Sequence, residues 1–500
     1  MHDTYTSPLA ARNASEAMLR LWSPRHKFNT WRRIWLAVAE AQHETGLPVR
    51  KEQVEALRRV VERGITDAEL ARASELEREL RHDVMAHVHC LAESCPEAGP
   101  IIHLGCTSQD VVCNADLLTI HEALHLLNIK VVRAVISLGD FAEAHASLPT
   151  LGFTHYQAAQ PVTVGRRAAM WASDLDSANM EKRLLGRWYG GAPLRGLRGA
   201  TGTQASFAKL YDNPHLANHL EKIFLDKLSP PSWEDPGHSW GTFGIVGQTY
   251  PRIEDARILS NLALTAAVLH KIATDIRLLS NRKEIDEPFG SKQIGSSAMP
   301  YKRNPMKCER ICGLTRFVMN LVGNAYDTAA TQWLERTLDD SSNRRLSLPE
   351  AFLALDGALD LMHEVASGLV VHEAMVRKNL MAELPFLATE NILMEAVKAG
   401  GDRQELHEVI RVHAQASGMR VKQEGLDNDL LERLQEDPHF KGKASGGRLD
   451  RDLDWEGLMD PMRYVGRSVH QTHDCLQYIE YLRSYHKDEL ASLDSAESRV

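Results

Sequence analysis

Apolar residues recur along this chain of 500 residues mostly at the spacing of an α-helix. Positions 252–287 contain no Gly and no Pro. Within this segment, apolar residues follow the helical period at Ile258, Leu262, Leu269, Ile276 and Leu279. Residues 258–270 carry no Asp, Glu, Lys or Arg, so we expect this helix to have apolar surroundings on every side. Similar patterns predict long helices over 129–146, 164–185, 306–338 and 349–384.

Helices of about 30 residues each span roughly 45 Å, which predicts an elongated bundle. Three segments interrupt the helical pattern: a glycine-rich stretch (186–202), a Pro/Gly/Trp connector (229–241) and a Gly/Ser/Pro loop (288–305). Loops as long as the last one are usually functional or disordered. We therefore predict an all-α protein with an N-terminal helical domain (1–108), a central long-helix bundle carrying this loop (109–370) and a C-terminal helical domain (371–500).

The composition is that of an ordinary globular protein, with 43% apolar and 25% charged residues. The net charge of −9 argues against a nucleic-acid-binding protein, which would carry a basic excess. An anionic ligand would need a local cluster of Arg and Lys, since the overall field repels it.

Several features predict a protein of the cytoplasm. No run of about 18 uncharged apolar residues is present, so we expect no membrane span. The first residues lack the apolar core of a secretory signal. The seven cysteines are odd in number and form no CxxC pair, which favours reduced thiols.

Two further patterns have little specificity. The histidines and cysteines between His82 and His103 fit no familiar zinc spacing, so we expect no metal. The glycines of segment 196–202 could suggest a nucleotide loop, but their spacing is not GxGxxG and no strand pattern precedes them.

The string GSSAMPYKRNP, at 295–305, places hydroxyls and cations on a long loop. Such a loop could close over a substrate and exclude water, although a polar linker between helices would have a similar composition. The whole string resembles the signature of the fumarase/aspartase superfamily, whose members eliminate fumarate from succinyl compounds. Two more strings resemble the other motifs of that superfamily, HLGCTSQDVVCNAD at 103–116 and LGFTHYQAAQP at 151–161.

Within the superfamily, the chain is most similar to adenylosuccinate lyases of the vertebrate-like type. The similarity extends from about residue 7 to about residue 485. It is carried by RHDVMAHVH from 81, TGTQASF from 201, GQTYPR from 247, QWLERTLDDSSNRR from 332 and ELPFLATENI from 383.

The resemblance implies catalytic roles for residues of these motifs. Ser296 would be the base, and His155 the general acid that protonates the leaving nitrogen. Lys302 and Asn304 would hold the succinyl carboxylates, Glu309 would orient His155, and His82 would belong to the catalytic set. A fixed cation beside the carboxylate suits this chemistry, because the carbanion places extra negative charge there.

The resemblance also implies substrate-binding positions. Phosphate contacts are expected from Arg12, Arg336 and Arg345, since guanidinium groups bind phosphate bidentately. Taken alone, arginines on helices are more often solvated or paired at the surface. Further substrate contacts are expected from Asn13, Arg81, His82, Asp83, Thr107, Ser108, Gln248, Arg310 and Ser341. Two positions depart from the family pattern, with Asn13 in place of a tyrosine and Cys113 in place of an acidic residue.

The implied reaction is elimination of fumarate from adenylosuccinate to give AMP, and from the succinylated aminoimidazole carboxamide ribotide (SAICAR), in purine nucleotide biosynthesis. No cofactor is implied, because acid–base groups and fixed charges suffice. The family assembles as a homotetramer whose sites are each built from three subunits, and the charge-free helix at 258–270 also favours association. Two alternatives remain: another lyase of the superfamily, such as one acting on argininosuccinate, and a catalytically silent helical scaffold.

Overall fold

The computed structural model describes residues 3–178, 193–211, 213–229 and 240–493. These ranges are mainly helical, with two small two-stranded sheets, as the predicted all-α class requires. Parts of the predicted segments 164–185, 186–202 and 229–241 lie outside the described residues. None of the described helices is long and apolar enough to cross a membrane.

The N-terminal part consists of short helices that pack around Trp31 and Trp35, both almost fully buried. The same hydrophobic core includes the start of the next long helix and, further along the chain, Leu194, Phe207, Phe224 and Tyr250. A short π-helical turn (Leu9–Asn13) precedes the helices of the N-terminal part. These helices are α1 (Glu16–Leu21), α2 (Pro24–Glu44), α3 (Lys51–Arg63), α4 (Asp67–Leu80) and α5 (Asp83–Ser94).

The central part is an elongated bundle with one continuous apolar core. Two antiparallel pairs of strands join its helices: β1 (Pro149–Thr154) with β2 (Gln157–Thr163), and β3 (Ile285–Asp286) with β4 (Val370–Val371). The helices are α6 (Ser108–Ala144), α7 (Val164–Ser177), α8 (Ala205–Tyr211), α9 (Pro214–Leu228), α10 (Ile253–Asn281), α11 (Met306–Ala330) and α12 (Asp339–Gly368).

The C-terminal part has its own hydrophobic core around Leu430 and Phe440, and α18 returns to pack against the central bundle. The predicted domain boundaries at 108 and 370 remain predictions. The helices here are α13 (Glu373–Leu387), α14 (Thr389–Lys398), α15 (Arg403–Met419), α16 (Leu430–Glu436), α17 (Trp455–Leu458), α18 (Ser468–Tyr485) and α19 (Lys487–Ser492).

Two predicted helix boundaries were wrong. The helix expected over 306–338 ends at Ala330, and Leu334 adopts a left-handed conformation in the connection that follows. The helix expected over 349–384 is divided between α12 and α13, with β4 between them. Helix α12 continues through Pro349 rather than beginning there, although an interior proline removes a backbone hydrogen bond of the helix.

The apolar helix α10 is not enclosed on all sides within one chain. Ile258, Leu262 and Leu269 are buried in the bundle core. Leu264 lies on the opposite face and is 44% exposed, and Leu278 is 39% exposed. The expectation of apolar surroundings on every side therefore fails for the single chain.

Candidate active site

The loop of residues 288–305, which we call the signature loop, connects β3 to α11 and is held closed by its own backbone. The side-chain amide of Asn304 donates a 2.7 Å hydrogen bond to the carbonyl of Gly295. A Cβ atom at residue 295 would lie 2.1 Å from the Lys302 carbonyl oxygen, so only glycine fits there. The closed loop places Ser296, Lys302 and Asn304 on one short segment.

The hydroxyl oxygen of Ser296 accepts hydrogen bonds from two backbone amides. The donors are the N–H groups of Ala298 at 3.3 Å and Met299 at 3.1 Å. Donors aimed at an oxygen favour its negatively charged form. The loop therefore gives Ser296 the kind of environment in which a serine oxygen can act as a base.

A buried carboxylate holds the end of the signature loop in place. Glu287 is 4% exposed and accepts hydrogen bonds from the backbone amides of Lys307 (3.0 Å) and Cys308 (2.9 Å) in the first turn of α11. Negative charge at a helix N-terminus is stabilising. The Lys307 ammonium in turn pairs with Glu364 of α12 at 2.9 Å.

Glu309 and Arg310 follow in the first turns of α11. The Glu309 carboxylate lies 3.9 Å from Arg277. Within the described residues, no hydrogen bond joins Glu309 to His155. Within one chain, Glu309 therefore does not orient His155 in the predicted way.

His155 lies at the exposed tip of the β1–β2 hairpin. His155 and Tyr156 form the two-residue turn, with φ angles of +53° and +58°. Turns of this kind match the twist of hairpin strands, but left-handed conformations are strained for residues other than glycine. Arg282 stabilises the hairpin, since its guanidinium lies 4.7 Å from the ring centre of Phe153. The His155 imidazole is therefore exposed at the surface of its own chain.

A second group of predicted residues meets where α4 ends and α5 begins. Arg81 takes a left-handed conformation (φ +56°) that separates the two helices. His82 caps α5, and its Nε2 lies 3.5 Å from the hydroxyl of Ser108 at the start of α6. Asp83 accepts a 2.8 Å hydrogen bond from Arg345 of α12. The structure therefore brings residues from three motifs together.

Next to this junction is a cavity of about 210 Å³, which we call the α12 cavity. Residues of α1, α2, α6 and α12 line it, so it is formed by parts of the chain that are distant in sequence. Its polar groups include Lys27, Asp116, Ser341 and Arg345. Its apolar wall comes from Leu21, Trp22, Ile120 and Leu348. A cavity with an apolar wall and cationic groups suits a planar base joined to an anionic group.

Arg336 is not a solvated surface arginine, since its side chain is 13% exposed. Its guanidinium donates to the side chain of Gln248 at 3.4 Å and pairs with Asp340 at 3.5 Å. The backbone amide of Gln248 donates to the carbonyl of Glu335 at 3.0 Å. These contacts hold the two predicted binding residues beside each other.

Buried ion pairs hold the side chains around Arg336 and Arg345 in place, and no sequence motif indicates these pairs. Arg344 is held by Asp255 at 2.5 Å and by Asp116 at 3.0 Å. Arg252 pairs with Asp340 at 2.7 Å. No local sequence signal predicts such pairs, because their partners are 88 to 228 residues apart.

Asp110, also missed, joins the start of α6 to the segment at 194–199. Its carboxylate is fully buried, pairs with the buried Arg195, and accepts backbone hydrogen bonds from Thr107 (2.7 Å), Arg198 (2.8 Å) and Gly199 (3.0 Å). The sequence carries a signal for part of this role, since Thr and Asp three residues apart form a capping box.

The groups of predicted residues lie far apart within one chain. Arg345 and Glu364 are nineteen residues apart on α12, which corresponds to about 28 Å along the helix axis. Glu364 contacts the end of the signature loop through Lys307. The α12 cavity and Ser296 are therefore at opposite ends of the bundle.

Arg12 and Asn13 are not beside the α12 cavity either. The carbonyl oxygen of Asn13 lies only 2.6 Å from where a Cβ atom would be at Gly357. This position is twelve residues beyond Arg345, or about 18 Å along α12. The structure does not join these two residues to the other predicted phosphate ligands of the same chain.

The described residues contain no group of three or more His, Cys, Asp or Glu side chains that could hold a metal ion. All seven cysteines are free.

Comparison with solved structures defines the class of fold. The structure matches a fumarate lyase from Mesorhizobium sp. BNC1 with a TM-score of 0.75 at 23% identity, covering 95% of this chain and 99% of that one. It matches the 3-carboxy-cis,cis-muconate lactonizing enzyme from Pseudomonas putida with a TM-score of 0.77, also at 23% identity and with the same coverage. The chain therefore has the same helical fold as these two enzymes.

Sequence comparison defines the family. A lyase family model matches residues 11–320, and a model of the adenylosuccinate lyase C-terminus matches residues 385–475. The chain is 43% identical to adenylosuccinate lyase of Saccharomyces cerevisiae, over 99% of both chains. It is 45% identical to that of Schizosaccharomyces pombe, over 94% of both. The chain belongs to the adenylosuccinate lyase family, and it is an enzyme of the lyase class.

Proposed function

We propose that this enzyme eliminates fumarate from adenylosuccinate to leave AMP, and from SAICAR in the same manner. The observation that carries the proposal is the pair of backbone donors on the Ser296 oxygen, within a loop that also supplies Lys302 and Asn304. The names of the relatives support the choice of substrate. In this proposal the enzyme serves purine nucleotide biosynthesis in the cytoplasm, where free thiols persist.

The proposed reaction begins with proton removal by the Ser296 oxygen from the carbon next to a succinyl carboxylate. The electron pair of that C–H bond forms the C=C bond of fumarate while the C–N bond breaks. His155, in its protonated form, gives its proton to the leaving nitrogen. Lys302 and Asn304 hold the succinyl carboxylates, so that the charge building on them meets fixed donors.

The substrate's phosphate and ribose would bind in the α12 cavity. Arg345 and Ser341 line this cavity and supply donors of the type that binds phosphate. An argininosuccinate-type substrate has no phosphate and would leave these cations unused. This difference favours the nucleotide substrate over the other lyase chemistry.

We further propose that the enzyme is a homotetramer whose active sites are shared between subunits. Arg345 of the cavity and Glu364, which pairs with Lys307 at the end of the signature loop, are separated by about 28 Å along α12, more than the length of a nucleotide substrate. Exposed Leu264 on α10 offers an apolar contact surface. A complete site would then take His155, Ser296 and the α12 cavity from different chains.

The test is ultraviolet spectroscopy of the purified protein with adenylosuccinate, SAICAR and argininosuccinate in separate reactions. Release of AMP and fumarate from the first, with no turnover of argininosuccinate, is expected. Turnover of argininosuccinate alone would support the other lyase. No turnover of any of the three by an intact tetramer would support the scaffold.

A further inference from the structure

Lys27 lines the α12 cavity but is not among the predicted catalytic or substrate-binding residues. It lies in the second turn of α2, and its side chain is only partly exposed. The ammonium nitrogen is 4.9 Å from the ring centre of Trp31 and 5.3 Å from that of Phe28. These cation–π contacts hold the side chain in an apolar setting at the cavity wall.

Within the described residues, Lys27 forms no ion pair with a carboxylate. Of the three carboxylates whose charges act on Lys27 (Asp83, Asp116 and Glu77), Asp83 and Asp116 each have an arginine partner instead. Asp83 accepts from Arg345 at 2.8 Å, and Asp116 pairs with Arg344 at 3.0 Å. A desolvated ammonium without a paired acceptor is unfavourable, so an anion bound in the cavity would supply the partner that Lys27 lacks.

The pKa of Lys27 reflects the same imbalance. Burial lowers it below its ordinary value, and the positive charge of Arg345 lowers it further. Asp116 and Asp83 oppose this shift without cancelling it. An anion bound in the cavity would favour the charged form of Lys27.

We propose that Lys27 is a substrate-binding residue that holds the phosphate of the nucleotide together with Arg345. This inference rests on the proposed function, because it assumes a phosphorylated substrate in the α12 cavity. A phosphate monoester carries between one and two negative charges at neutral pH. Arg345 is already paired with Asp83, so it neutralises the phosphate only in part, and Lys27 supplies the second cation. A lysine binds phosphate as a point charge and needs no fixed fork geometry.

The experiment compares binding of AMP and of adenosine to Lys27→Met, Lys27→Arg and wild-type enzyme by calorimetry. Methionine keeps most of the apolar stem beside Trp31 and Phe28. Arg33→Met is the matched control, since Arg33 is an exposed cation on the same helix. We expect Lys27→Met to weaken AMP at least about 10-fold, as for loss of a charged hydrogen bond, and to change adenosine less than about 2-fold. Lys27→Arg should retain most of the AMP affinity, and Arg33→Met all of it.

Equal weakening of AMP and adenosine, or no weakening of AMP, would overturn the proposal. A second measurement uses wild-type protein and is independent of how the variants fold. AMP, but not adenosine, should slow acylation of Lys27 by an amine-reactive reagent, as read by mass spectrometry. Labelling of Lys27 that AMP leaves unchanged would also overturn it. Failure of wild-type enzyme to convert adenylosuccinate would instead contradict the proposed function, so the two failures are distinct.

Discussion

Arg345 donates a 2.8 Å hydrogen bond to Asp83, although 262 residues separate them in sequence. Burial alone would raise the pKa of Asp83, but the amide of Val84 and the positive charges of Arg345 and Lys27 hold it below its ordinary value. The carboxylate thus stays charged and keeps the guanidinium at the α12 cavity. An incoming phosphate would meet an arginine that is already oriented.

Arg345→Ala should weaken binding of phosphorylated ligands by about 1.5–3 kcal/mol, the range for hydrogen bonds to charged groups. The measurement is the dissociation constant for AMP, with adenosine as the comparison. Adenosine should bind almost as well as to wild type. A loss of equal size for both ligands would mean that Arg345 does not contact the phosphate.

Ser296→Ala and His155→Ala should each lower kcat by on the order of 10²–10⁴, the usual contribution of a positioned acid or base. Folding should be unchanged, because Ser296 is a partly exposed loop residue and His155 is at an exposed hairpin tip. The measurement is steady-state turnover of adenylosuccinate, with circular dichroism as the control. A Ser296→Ala enzyme with near-normal kcat would remove this residue from the mechanism.

Mixing the same two inactive variants tests whether sites are shared. Under conditions that exchange subunits, some mixed sites receive both wild-type residues, so part of the activity should return. Each variant incubated alone is the control. No recovery, although mass measurement shows exchanged subunits, would place both residues of a site on one chain.

Leu264→Glu should disrupt assembly and abolish activity, because it puts a charge on the exposed apolar face of α10. Light scattering would then report a smaller particle than the tetramer proposed for the wild-type protein. Val412→Glu is the control, since Val412 is exposed to a similar extent (50%) on α15. A Leu264→Glu protein that remains a tetramer would exclude this face from the subunit contact.

Asp110→Ala should lower the free energy of unfolding by about 3–5 kcal/mol, because it leaves buried Arg195 without its counter-charge. It should also raise KM, since Asp110 positions the backbone of Thr107. Denaturant unfolding and steady-state kinetics measure the two effects. Asp110→Asn, which keeps an acceptor oxygen, should fall between alanine and wild type.

His87 should make stability depend on pH. Burial, with smaller effects of Arg32 and Lys27, lowers the pKa of His87 from 6.5 to about 4. Between these values the unfolded chain binds a proton that the folded chain does not, so stability decreases as the pH falls from about 6.5 to 4. The contribution of neutral His87 is fully present above that range.

The measurement is the thermal unfolding midpoint at pH 7.5 and pH 5. His87→Phe keeps a ring stacked on Phe28, which lies 3.7 Å from His87 between ring centres, and should show a smaller decrease than wild type. His89→Gln, an exposed histidine on the same helix, should behave like wild type. An unchanged decrease in His87→Phe would assign the pH dependence to other groups.

The sequence by itself determined the helices whose pattern is strongly periodic, and the positions of the motifs. Helix α10 occupies Ile253–Asn281, within the segment predicted from its apolar period. The family and its signature strings could likewise be identified from the linear order of residues. Both kinds of information are local, since a helical period or a motif depends on residues close together in the chain.

Only the tertiary structure decided which of these residues meet. Pairing of Asp83 with Arg345, and of Asp110 with Arg195, depends on how α4–α5, α6 and α12 pack over distances of tens to hundreds of residues. The same packing placed Ser296 and Arg345 at opposite ends of one bundle. A helical period specifies which face is buried but not its partner, so the separation that implies shared sites could be found only in three dimensions.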